Sequence, residues 1–269
     1  MTEKTSSSNR MSEVSEIWIN HFPSLKRMSK TSVYKRLGPF LCGFKFDNIY
    51  GECYTPYFHF VSLWTSNRDY ILQSDSSSVF SANGQKPFPL YSIPFTDKST
   101  KPLVEKCMDI YDILYSVFLK KEVRYQDFTV QLDLISGFNR TLDISVAKYK
   151  FIRKLDFLSK VLGNPSRQFD RCSYRYAIRY APYRLYCILR INLAIALFYD
   201  KPKLFEKAVE TYKNDSRYWS SNFLRNHPIF QIETILREFD NREEFMTQIN
   251  QNCEKPAIAK LYCGQLTFR

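Results

Sequence analysis

The hydrophobic pattern of the chain changes character along its length, and each change marks a change of predicted structure. Residues 1–11 are mostly Ser, Thr, Lys and Glu, a composition that predicts a disordered tail. Val14, Ile17, Trp18, His21 and Phe22 then recur at helical spacing before Pro23, which predicts a helix over about 12–22. From Gly38 the run GPFLCGFKFDNIYGECYTPYFHFVSLW is dense in aromatic and β-branched residues, with Gly51 and Pro56 as punctuation. It predicts two antiparallel strands, about 40–48 and 57–64. In the second, Tyr57, His59, Val61 and Leu63 share one face and Phe58, Phe60, Ser62 and Trp64 the other. Both faces are apolar, as in a central strand covered on both sides. Residues 66–95 read as irregular chain with short strand pieces and a turn at SANGQKP.

Beyond Ser99 the period becomes helical. Pro102 opens the apolar run 103–119, which is predicted to be a buried helix. Residues 128–137 fit both periods and are read as helix from their helical neighbours. Further helices are predicted over about 142–162, 166–181, from Pro182, over 202–213, from Pro228, and over 255–263 with Gly264 as the stop. Asn241 and Glu244 have the spacing of a capping box. The expected fold class is therefore α+β, with a small N-terminal antiparallel β/α part followed by a larger all-helical C-terminal part. In domain terms this gives a tail at 1–11, an α/β part with an aromatic-rich hairpin at 12–98, and a helical part at 99–269.

Composition narrows the function classes. With 269 residues, 44% of them hydrophobic, the chain is long enough to bury a core without disulfides. Its seven cysteines are scattered, with no Cys-x-x-Cys, and read as reduced, apolar side chains. The most apolar run, 185–199, has 15 residues and contains Arg190 and Asn192, so it predicts a core helix and not a membrane span. The polar start has no secretory pattern, and a cytoplasmic location is expected.

The formal charge of +12 is confined to one region. Residues 145–225 hold 17 Lys/Arg and six carboxylates, whereas the rest of the chain is nearly balanced. A basic excess confined to one segment points to a local anionic partner.

Catalytic signals are missing. There is no Gly-x-Ser-x-Gly, phosphate-binding Gly-x-x-x-x-Gly-Lys, dinucleotide Gly-x-Gly-x-x-Gly, Asp-x-Lys or Glu-x-Lys. Three histidines (21, 59 and 227) form no metal-binding spacing, and no cofactor is expected. Cys53 and His59 could meet across strands, but two ligands do not make a zinc site, a thiol–imidazole spacing of this kind occurs by chance, and His59 reads as a hydrogen-bonded core residue.

The segment RQFDRCSYRYAIRYAPYR (167–184) carries the remaining signal. Arg167, Arg171, Arg175 and Arg179 are four apart, so on a helix each advances roughly 40° and 6 Å on the last. Phe169, Cys172, Tyr176 and Tyr180 fall on the opposite side, and Tyr174 beside the stripe. Like charges at this spacing disfavour a helix by about 0.2–0.5 kcal/mol per pair, and Arg binds phosphate with a planar fork that Lys lacks. Lys148, Lys150, Arg153 and Lys154 upstream and Arg184 downstream extend the basic set, while Tyr174 and Tyr183 offer rings for unpaired bases. Arg190, among apolar residues, must find a carboxylate, exposed carbonyls or a bound anion. The sequence thus suggests a non-enzymatic nucleic-acid-binding protein, DNA or RNA undecided. The alternatives are a subunit docking onto an acidic protein partner, and an enzyme on a phosphorylated substrate with the arginines as phosphate clamps.

Overall fold

The computed structural model describes residues 7–49, 53–66, 70–74, 93–94, 101–135, 167–217, 219 and 221–268. Helix α1 (Ser7–His21) begins inside the expected tail, because Met11 and Val14 have a sheet to pack on. The strands are β1 (Lys26–Ser29), β2 (Ser32–Leu37), β3 (Phe40–Ile49), β4 (Cys53–Ser62), β5 (Tyr70–Ser74) and β6 (Ile93–Pro94). Helix α2 (Lys101–Leu119), β7 (Glu122–Arg124), α3 (Tyr125–Ile135), α4 (Arg167–Phe198) and α5 (Pro202–Ser216) follow. A short α6 (Ser221–Asn226) and a 3-10 turn (Pro228–Phe230) come next. The chain then runs through α7 (Ile232–Leu236), α8 (Arg242–Glu254) and α9 (Pro256–Ala259) to β8 (Cys263–Thr267).

The expected small antiparallel β part and all-helical C-terminal part are not what forms. The strands make one large mixed sheet in the order β5-β4-β3-β2-β8-β7, with β1 also on β2 and β6 also on β4. Strand β8 pairs in parallel with both β2 and β7, so two strands from beyond residue 99 complete a sheet begun near residue 26. The expected stop at Gly264 is overturned by the same pairing. Gly264 lies inside β8, where an added Cβ would come 2.8 Å from Lys35 Nζ, so its missing side chain serves packing.

The predicted hairpin is present as β3 and β4, antiparallel from Phe40↔Ser62 to Ile49↔Cys53. Strand β4 lies between β3 and β5/β6 and is buried almost throughout, as its two apolar faces predict. One face of the sheet carries Phe44, Phe46, Phe58 and Phe60 against Trp18 of α1 and Tyr111, Tyr115 and Phe118 of α2. The Trp18–Phe44 and Phe58–Tyr115 ring centroids are both 4.5 Å apart. On the other face Tyr34 and His59 flank Gly43, each its cross-strand partner. With no side chain between them, Tyr34 Oη and His59 Nδ1 form a 3.1 Å hydrogen bond.

Helix α2 matches its predicted run, and α3 resolves the ambiguous segment as helix. The helix expected over 142–162 lies outside the described residues. The Asn241 cap is present, Asn241 Oδ1 accepting from the Glu244 backbone N–H at 3.1 Å. Among the described residues no helix is long and apolar enough to cross a membrane.

Candidate functional site

The arginine segment and the helix expected to open at Pro182 are one helix, α4, of 32 residues with Pro182 inside it. Proline removes one backbone donor and crowds the carbonyl four residues back, but the apolar run beyond it supplies the packing that sustains the helix. Leu185, Cys187, Leu189, Ile191 and Leu193–Ala196 are all buried in the core. Arg167, Arg171, Arg175, Arg179 and Arg184, together with Tyr174, therefore stand on the backbone of a helix whose second half is buried. Their side chains lie outside the described residues, as do Lys148, Lys150, Arg153 and Lys154 altogether.

Arg190 answers the question its sequence position raised: it meets a carboxylate of the same chain. It is 5% exposed and grips Glu238 with a fork, Nε to Oε2 at 2.9 Å and Nη2 to Oε1 at 2.6 Å. The Trp64 indole N–H donates to the same Oε1 at 2.6 Å, and the guanidinium lies 5.1 Å from the Tyr186 ring centroid. It takes no part in an external anion site. Helix α5 is also a poor candidate, since its exposed Lys203, Lys207 and Lys213 alternate with Glu206 and Glu210. What is left of the basic region is concentrated at 145–184, with ten Lys/Arg against two carboxylates.

The Cys53–His59 pairing fails on geometry. Both residues are on β4, six positions apart, which separates them by about 20 Å. Among the described residues no three His, Cys, Asp or Glu side chains are grouped to hold a metal. A groove between α3, α4 and α5 has its polar floor already paired, Tyr125 Oη donating to Asn192 Oδ1 at 2.7 Å and Asn192 Nδ2 to the Ile188 carbonyl at 2.9 Å.

A buried ionisable pair that no sequence motif marks lies where α2 ends. Lys35 on β2 is fully buried opposite Cys42 on β3, and its amine donates to the Lys120 carbonyl just past the end of α2. Cys42 Sγ donates to the Phe118 carbonyl at 3.6 Å. The two side chains thus serve carbonyls that a helix end leaves without partners. Burial lowers the Lys35 amine from its ordinary range and pushes the Cys42 thiol up to about 11. The signal was present in the sequence: Lys35 stands in phase with apolar Val33 and Leu37.

Comparison with protein-family models, with curated proteins and with solved structures gives no match for this chain.

Proposed function

We propose that the chain is a non-enzymatic nucleic-acid-binding protein of the cytoplasm, gripping phosphates through the first half of α4 and the basic segment before it. The observation that carries this reading is the continuity of α4. One helix bears four arginine positions at a spacing of four and then enters the core as the buried run 185–196. Helical backbone sets consecutive positions about 6 Å apart along the axis and 40° around it, a winding row suited to a polyanion's charged backbone. Arg190 is matched by Glu238 and is not counted among the cations of the row.

The test is binding of labelled DNA and RNA by the purified chain across a salt series. Four neutralised phosphates give a log–log slope of roughly −3 to −4. The double change Arg171→Glu, Arg175→Glu should abolish binding while leaving the circular-dichroism melt unchanged. Absence of affinity for any nucleic acid at low salt overturns the reading. Capture of an acidic protein by the same arginines would favour the docking alternative.

A further inference from the structure

Tyr183, 45% exposed, is one of four exposed large apolar side chains among the described residues. A file of rings runs inward from it to buried Phe230. Tyr183 lies 6.1 Å from Tyr186, Tyr186 5.8 Å from Phe230, and Phe230 5.8 Å from Phe223 with the two planes 3° apart. Exposed His227 follows at 4.9 Å from Phe223, and half-buried Trp219 closes the side at 5.6 Å from the same ring. The file is fixed from beneath, because buried Tyr212 Oη donates to the Phe230 carbonyl at 2.8 Å and Gln231 Nε2 to the Leu224 carbonyl at 3.0 Å. The segment that supplies Trp219, Phe223, His227 and Phe230 is basic in sequence: residues 213–230 carry Lys213, Arg217 and Arg225, all exposed, against the single carboxylate of Asp215.

An exposed tyrosine four residues after Arg179 on the same helix, backed by fixed rings, has the chemistry of a base-stacking surface. Resting on the phosphate-binding reading above, we infer that exposed Tyr183, held by the ring file behind it, stacks an unpaired base, so that the ligand is a single-stranded nucleic acid. A duplex keeps its base faces stacked inside and offers this surface only sugar and phosphate. Every base has a π-face, so the surface selects strandedness and not sequence.

The experiment is fluorescence anisotropy with labelled oligo(dT) and oligo(U) 20-mers and a mixed-sequence duplex of equal length, at low salt, on wild type, Tyr183→Ala and Tyr183→Phe. Circular-dichroism melts of the variants separate a loss of binding from a loss of folding. Supporting results are single strands bound at least tenfold more tightly than duplex, a loss of roughly tenfold in Tyr183→Ala for single strands only, and recovery in Tyr183→Phe. Equal affinity for duplex and single strand, with Tyr183→Ala like wild type, overturns the stacking surface and leaves the phosphate reading intact. No binding of either form overturns both.

Discussion

Replacing Glu238 by alanine removes the carboxylate that neutralises Arg190 and accepts from Trp64. The Arg190 side chain is 7% exposed and that of Glu238 24%, so the guanidinium would stay buried without the carboxylate that grips it. Breaking a buried pair from one side costs about 3–5 kcal/mol. Water has partial access on the Glu238 side, which places the pair near the lower figure. The indole N–H left without an acceptor adds about 1 kcal/mol. The expected loss is therefore about 3–4 kcal/mol, seen as a fall in the urea midpoint followed by tryptophan fluorescence and circular dichroism. Because the pair is largely sheltered, 1 M salt should change this loss little. The double replacement Arg190→Leu, Glu238→Leu removes both charges and should lie within about 1–2 kcal/mol of wild type, since apolar groups can fill a buried pair's place at little cost. A Glu238→Ala loss below about 1 kcal/mol would refute the reasoning. So would a double variant as unstable as the sum of its two single changes.

Gly43→Ala should be among the most damaging small changes, by about 3 kcal/mol in the same denaturation assay. Its Cβ would fall 2.1 Å from the Val33 carbonyl oxygen and 2.8 Å from Tyr34 Cα, forcing β2 and β3 apart. Cys42 predicts a pH dependence. With its folded-state pKa raised from 9.0 to about 11, its contribution is fully present below pH 9 and is lost as pH rises through 11. That loss should be about 2–3 kcal/mol, read as a steeper fall of stability over this window in wild type than in Cys42→Ala. Lys35, with its pKa lowered, contributes with the opposite sign, so Lys35→Met should make the alkaline fall steeper.

Local pattern made much of the fold legible. The helical spacing around Trp18, the hairpin of β3 and β4, the two buried faces of β4, helix α2 and the Asn241 cap all follow from neighbours within one element. Helix α4 was legible in its parts, but a proline reads as the start of a helix, and Pro182 instead lies inside one. The buried packing of 185–196 decides for the interior.

The candidate site divides the same way. The arginine spacing, the confinement of charge and the need of Arg190 for an anion are properties of the sequence, because charge and period are local quantities. Which anion Arg190 meets depends on Glu238, 48 positions away, and on Trp64 at a far greater distance along the chain. The roles of Gly43 and Gly264 arise only where strands meet, over Tyr34 and against Lys35. Strand β8 is the clearest case: Arg36↔Cys263 and Leu37↔Gly264 join residues from opposite ends of the chain, and no local periodicity records a parallel partner. The sequence by itself determined that helices such as Lys101–Leu119 form, which strand is apolar on both faces and where the excess charge lies. The tertiary structure decided which strands close the sheet, which charge is neutralised inside and which rings stay exposed, because each of those depends on burial between residues the chain brings together only by folding.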